Sequence, residues 1–251
     1  MCPKNAKRER ADRLMIEQGL AATRSQAQAL LLAGRVYFGE QRVEKPGSLW
    51  PTDTPLSVRG TVRFVSRGGL KLEGALNELG VDVSGFVAAD IGASTGGFTD
   101  CLLQRGARKV YAIDVGHGQL AASLRADQRV VVMERVNARH LEADSLGELV
   151  HLVVVDASFI SLEKLLGAVS QLLEPGGLLL ALIKPQFEVG RREASKHKGV
   201  IRDETLRTAA IHGTLEKVGL AGFEVIADCA SPIKGPKGNL EHFVLARLAG
   251  R

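Results

Sequence analysis

The chain has little cysteine and no long apolar run. Cys2, Cys101 and Cys229 are its only cysteines, an odd number set far apart in 251 residues. That excludes a disulfide framework and a cysteine zinc site, and it fits a reducing, cytoplasmic setting. The longest strongly apolar run, Leu178–Ile183, is far too short to cross a bilayer. Met1–Arg8 leads into a charged segment without an apolar core, so no secretory signal is expected. The G-x-G-x-x-G fingerprint of dinucleotide-binding folds is also missing. What remains is a globular composition, 45% hydrophobic and 24% charged. The length suits one large domain, or a small domain joined to a medium one.

Charge is unevenly placed. Residues 1–71 hold 13 Lys and Arg against 6 Asp and Glu, and the remaining residues hold 20 against 22. The basic excess therefore lies in the first quarter, where a cationic field attracts phosphate backbones. Residues 10–59 read as a compact unit. A helix over Arg10–Gln18 stops at Gly19, and a second, capped by Thr23 or Ser25, ends at Gly34. Strands Arg35–Phe38, Gln41–Val43 and Leu56–Val58 follow. The pattern Arg10-x-x-Arg13-Leu14, Gly19-Leu20, Ser25-x-x-Gln28-Ala29, Gly34-Arg35-Val36, Gly39 and Val43-x-Lys45-Pro46 resembles the S4 RNA-binding domain. The resemblance implies an RNA surface on the helix pair and on the turn into the strands. Arg13, Arg24, Arg35, Arg42 and Lys45 are the candidate phosphate contacts there.

Gly60–Ser66 reads as a linker, and Arg67-Gly68-Gly69-Leu70-Lys71-Leu72 opens a helix to Leu79. From Phe86 onward strands alternate with helices. The strands are Phe86–Asp90, Val110–Asp114, Val130–Glu134, Leu152–Asp156, Leu178–Lys184, Phe223–Asp228 and Glu241–Leu248. Such alternation predicts an α/β fold with a mostly parallel sheet between helical layers. The last two strands are joined by the Pro/Gly-rich stretch Ser231–Asn239, which leaves them antiparallel. Seven strands with the last reversed is the Rossmann-like arrangement of class I methyltransferases rather than of dehydrogenases.

The stretch Asp90–Asp100 marks the first strand's exit. Its glycines form a turn of the G-x-x-x-G-G type, and glycine lets backbone approach a ligand closely. An acid at the strand end, Asp90, repels a pyrophosphate and suits a cationic cofactor, which points to S-adenosylmethionine. Asp90, Gly92, Ser94, Thr95, Gly96, Gly97 and Phe98 are the candidate cofactor residues of this turn. Asp114, at the next strand end, is placed to accept the ribose hydroxyls, or else to cap the following helix. Asn137 either meets the adenine edge or is a plain loop residue. Four charges also gather at the same sheet edge. Asp156 and Lys184 end strands, Glu241 begins the antiparallel one, and Lys71 lies on the helix leading into the sheet. Such a cluster would lower a lysine pKa and orient its amine as a base.

Lys71, Asp156, Lys184 and Glu241 resemble the K-D-K-E tetrad of FtsJ-like (RrmJ-type) ribose 2′-O-methyltransferases. With an S4-like unit in front, the chain is similar to the TlyA/hemolysin A family of rRNA methyltransferases from Arg10 to Leu248. The resemblance implies three segments: an S4 domain at 1–59, a linker at 60–66 and a methyltransferase domain at 67–251. It implies that neutral Lys184 takes a ribose hydroxyl proton and that Asp156 positions it and complements the cofactor's sulfonium. Glu241 and Lys71 would orient the ribose. Ribosomal RNA or a ribosomal subunit is the implied partner, with no metal, no membrane span and a monomeric chain. Arg67, the basic loop Arg191, Arg192 and Lys198, and Lys234 with Lys237, would grip RNA near the site or serve as ordinary surface. A non-catalytic RNA-binding factor and a membrane-active hemolysin are the competing functions.

Overall fold

The computed structural model describes residues 7–21, 23–59, 63–197, 199–235 and 238–250, without the side chains of Arg191 and Arg192. The chain divides into two compact units, Met1–Arg63 and Phe64–Arg251.

In the first unit, strand β1 (Arg8–Arg10) runs into helix α1 (Ala11–Glu17), and α2 (Arg24–Leu32) follows. The Thr23 hydroxyl caps α2 by accepting from the Gln26 N–H at 3.2 Å. Strands β2 (Val36–Phe38), β3 (Gln41–Arg42), β4 (Leu49–Pro51) and β5 (Ser57–Val58) complete the unit. They form one three-stranded sheet, β3-β2-β5, and an antiparallel pair, β1 with β4. Leu14, Met15, Ala27, Leu31 and Val36 are fully or almost fully buried together, which gives this small unit its own core. The β1–β4 pair was not expected from sequence, because charged Arg8-Glu9-Arg10 carries no strand alternation.

The second unit begins earlier than the sequence reading placed it. Phe64 is buried, the Val65 N–H donates to Asp100 at 2.7 Å, and Ser66 caps helix α3 (Arg67–Glu78). Residues 64–66 are thus packed structure, while Gly60, Thr61 and Val62 of the expected linker lie outside the described residues. Seven strands follow: β6 (Val87–Ile91), β7 (Lys109–Asp114), β8 (Val130–Glu134), β9 (Val150–Val155), β10 (Leu173–Ile183), β11 (Phe223–Ala230) and β12 (His242–Leu248). Their order is β11-β12-β10-β9-β6-β7-β8, and β12 runs antiparallel to both neighbours. Between them lie α4 (Gly97–Gln104), α5 (Ala122–Arg125), α6 (Glu163–Leu172), α7 (Pro185–Glu188), α8 (Arg191–Lys196) and α9 (Glu204–Leu220).

Side chains alternate between the two faces of this sheet. Ala89, Ile113, Val153, Ala181 and Val244 pack with α6 and α9, including Leu166, Val169 and Val218. Ala88, Ala112, Val154, Leu182 and Phe243 pack with α3 and α4, including Leu72, Leu76 and Leu102. Counting onward by two residues, Asp90, Asp114, Asp156 and Lys184 fall on the α3/α4 face, and so does Glu241 counted back from Phe243. One face of one sheet edge therefore carries every strand-end charge singled out above.

Candidate active site

The site is built at the carboxyl edge of the parallel strands. Ile183 of β10 pairs with His242 of β12, so Lys184 and Glu241 are the next residues out and oppose each other. Opposed residues on antiparallel strands share a face with Cβ atoms about 5 Å apart. Two ion pairs lie there, one buried and one with its acid half-buried. Lys184 Nζ lies 2.5 Å from Asp156 Oδ1, and Lys71 Nζ lies 2.5 Å from Glu241 Oε2. Lys71, Lys184 and Glu241 are all buried. Four charges held in pairs are cheaper to bury than any of them alone, and each pair joins separate elements: β9 to β10, and α3 to β12. Lys184 Nζ donates further to the Ser158 hydroxyl at 2.9 Å and towards the Asp156 carbonyl at 3.3 Å.

The glycine turn stands beside these pairs. Gly92 has φ +87°, and a Cβ there would stand 2.8 Å from the Asp156 carbonyl oxygen. Only glycine lets the ends of β6 and β9 come this close. Gly96, at φ +95°, begins α4 and packs under Leu124 and Leu120. Gly97 is buried against Ser66, and Phe98 lies in the core stacked on Phe243 at 6.1 Å. Of the turn residues, Phe98 thus seats the turn from below, whereas Ser94 and Thr95 are exposed.

Asp90 is fully buried. Its Oδ2 accepts from the Thr99 N–H at 2.9 Å and from the Thr99 hydroxyl at 2.6 Å, while Oδ1 has no partner. Burial, reinforced by the nearby carboxylates of Asp156 and Asp114, pushes its pKa up to about 7. Asp114 does not cap a helix. It ties two loops, accepting from Ser94 N–H at 2.8 Å and Gly116 N–H at 2.7 Å. A carboxylate has about four acceptor positions, so two remain for a ligand. Asn137 caps the short 3-10 turn Ala138–His140 by accepting from Arg139 N–H at 3.2 Å. Glu134 fastens the loop after β7, bonding Gly118 N–H at 2.8 Å, His117 at 2.8 Å and Arg125 at 2.5 Å. Those partners, Arg125 first, hold its pKa down at about 2.

The basic candidates are spread over both units. In the first, Arg13, Arg24, Arg35, Arg42 and Lys45 are all exposed. Arg24 Nε is anchored on buried Asp12 at 3.0 Å, and Arg42 lies over Gly34 and 3.4 Å from Glu44. In the second, exposed Arg67 donates to the Lys234 carbonyl at 2.8 Å. Arg191 and Arg192 begin α8, their side chains outside the described residues, as are Lys198 and Lys237 altogether.

Sequence reasoning missed Ser158 and Phe159. Phe159 is 90% exposed, sits at φ +66°, and its ring lies 5.3 Å from that of Phe187. An aromatic residue in the left-handed region is an outlier that surrounding structure must hold in place. The string Asp156-Ala157-Ser158-Phe159-Ile160-Ser161 is part of the family resemblance, but nothing in it signals a role for the side chain of Ser158 or Phe159.

Among the described residues no helix is long and apolar enough to cross a membrane, and no group of three His, Cys, Asp or Glu is placed to hold a metal ion. Residues 64–248 match the FtsJ-like methyltransferase family. The chain is 43% identical to the 16S/23S rRNA (cytidine-2'-O)-methyltransferase TlyA of Mycobacterium tuberculosis, over 96% of this chain and 91% of that protein. It is 42% identical to Hemolysin A of Brachyspira hyodysenteriae, over 94% of this chain and 100% of that one. A solved hemolysin-like structure from Streptococcus thermophilus has a TM-score of 0.77 at 40% identity, covering 98% of this chain and 90% of its own. The chain belongs to the FtsJ-like methyltransferases, within the group that includes TlyA and hemolysin A.

Proposed function

We propose that this protein methylates a ribose 2′-hydroxyl of ribosomal RNA, using S-adenosylmethionine and docking the RNA through its first unit as an S4-type domain. The observation that carries the reading is Lys184, buried, paired with Asp156 at 2.5 Å and opposed by Glu241 beside the Gly92 turn. The edge suits the cofactor. Asp90 keeps a buried oxygen without a partner, Asp114 has acceptor positions left, and Gly92 removes the Cβ that would fill the cradle. Three carboxylates favour a cationic ligand and disfavour a pyrophosphate. When bound, the cofactor supplies a methyl group already activated on a positively charged sulfur.

The chain's own residues then have limited chemistry to do. Lys184 Nζ, in its neutral form, accepts the 2′-hydroxyl proton. Asp156 holds that amine in place, and the Lys71–Glu241 pair orients the ribose. Much of the acceleration comes from holding two reactants in line. A reaction at the 2′-hydroxyl restricts the substrate to RNA. Exposed Phe159, next to Ser158, offers a face on which an unpaired base can stack. The basic excess of residues 1–71 supports phosphate docking by the first unit, and the TlyA relative is named for the same chemistry on 16S and 23S rRNA. Action on ribosomal RNA, so proposed, implies a cytoplasmic protein.

The test is transfer of labelled methyl groups to ribosomal RNA by the purified chain, with the modified riboses mapped. Lys184→Ala should lower transfer by about 10²–10⁴-fold and leave cofactor affinity unchanged. Undiminished transfer by that variant overturns the reading.

A further inference from the structure

Ser158 has no part in the tetrad, yet it completes the surroundings of the central lysine. An ammonium carries three donors, and Lys184 Nζ faces three acceptors. Ser158 Oγ at 2.9 Å and the Asp156 carbonyl at 3.3 Å accept hydrogen bonds from it, while Asp156 Oδ1 at 2.5 Å is an ion-pair contact without hydrogen-bond alignment. Of the two hydrogen bonds, the one to Ser158 is the shorter and stronger. We infer that Ser158 is a positioning residue which, with Asp156, aims the Lys184 amine at the acceptor hydroxyl. This rests on the function proposed above.

Once Lys184 is neutral it keeps two N–H bonds and one lone pair. Those two hydrogens stay on the two acceptors that Nζ hydrogen-bonds, Ser158 Oγ and the Asp156 carbonyl. The lone pair then takes the third direction, which neither hydrogen bond occupies and which is left for the incoming hydroxyl. Without Ser158 the amine keeps only the longer carbonyl hydrogen bond and turns about its last bond, so the lone pair has no fixed aim.

The loop that carries Ser158 is built to hold it still. Asp156 N–H donates to the Ile91 carbonyl at 2.9 Å at the start of the loop. Leu162 N–H donates to Glu188 Oε1 at 2.9 Å at its end. Between them, Phe159 in its left-handed conformation lays its ring against Phe187. Phe187 and Glu188 both belong to α7, which starts directly after Lys184. The lysine and the loop that positions it are therefore clamped to the same short helix.

The experiment compares wild type, Ser158→Ala, Ser158→Thr and Lys184→Ala as full-length chains. Methyl transfer to ribosomal RNA is followed in steady state, cofactor affinity by calorimetry, and folding by thermal melting. Ser158→Ala should lower kcat by about tenfold, with KM for RNA, cofactor affinity and melting temperature unchanged. Ser158→Thr, which keeps the hydroxyl, should restore most of kcat. A Ser158→Ala kcat within twofold of wild type overturns the inference and leaves the proposed function standing. A loss that appears in KM, or that threonine does not rescue, also overturns it by assigning Ser158 to loop packing. An active Lys184→Ala enzyme sinks the proposed function itself, and the inference with it.

Discussion

Two fully buried aspartates, one in each unit, have opposite surroundings. Asp12 of the first unit receives Arg10 through Nε and Nη2 at 2.9 Å each, Arg24 at 3.0 Å and Gln28 at 2.9 Å. Those partners, Arg10 foremost, hold its carboxyl well below the usual carboxylate range. Asp90 of the second unit has only Thr99, leaves one oxygen bare, and faces two further acids. A buried carboxylate with its acceptor positions filled by cations is a structural fastener. One left half-satisfied among like charges is a cost to the fold, and such costs gather where a ligand is to be received. The first unit uses its buried acid to hold itself together, and the second keeps one ready for something positive.

The comparison breaks most directly at Asp12. Asp12→Ala removes the common partner of two arginines and one glutamine and should destabilise the first unit by about 3 kcal/mol. Trp50 is the only tryptophan in the chain and lies in that unit, with its Nε1 bonded to Ser48 Oγ at 2.9 Å. Denaturant unfolding followed by tryptophan fluorescence therefore reads the first unit alone. A midpoint that does not move would show that Asp12 fastens nothing.

These two acids also mark how far the sequence could be read. The apolar strands and their exits were legible, because continuous runs such as Leu178–Ile183 have the pattern that burial on both faces demands. Once the strands were in place, Asp90, Asp114, Asp156, Lys184 and Glu241 fell at one edge by counting residues. Asp12 drew no notice, since an acid in a short charged helix looks like solvated surface until Arg10 and Arg24 are seen to fold back onto it. Ser158 escaped for the same reason: its importance lies in a contact with Lys184, 26 residues away. Asn137 shows the converse, a residue with a plausible ligand role whose observed bond is a local cap. Periodicity reports which face a residue is on, and only the folded chain reports what waits there.

Acid and base should separate the two units further, with opposite signs. Asp12 has a lowered pKa when folded, so its stabilisation is complete above the unfolded value near 4 and is lost as pH falls below it. Asp90 has a raised pKa of about 7 when folded. Its folded form holds a proton that the unfolded chain has already released, so stability falls as pH rises from about 4 to 7. Glu188, raised by burial, acts in the same direction in the second unit. Tryptophan fluorescence should therefore report a loss of stability on acidification. Circular dichroism, dominated by the larger second unit, should report a loss between pH 4 and 7. Parallel pH profiles from the two probes would erase the distinction drawn here.

The smallest effect, and the most specific, is expected from Asp90→Asn. The amide keeps an acceptor for Thr99 and fills the same volume, so packing is preserved. It removes the charge that Asp156 and Asp114 oppose, and the fall in stability between pH 4 and 7 should flatten accordingly. The same substitution weakens the pull on a cationic ligand. S-adenosylmethionine carries a positive sulfur, whereas the demethylated product S-adenosylhomocysteine does not, so affinity for the methyl donor should drop by about tenfold, near 1.4 kcal/mol, and affinity for the product by less. Calorimetry on both ligands gives the ratio directly. If the two affinities fall together, Asp90 shapes the turn without sensing charge, and its bare oxygen is an accident of packing. If only the donor weakens, the half-satisfied acid is what lets this edge hold the charged donor more tightly than the neutral product.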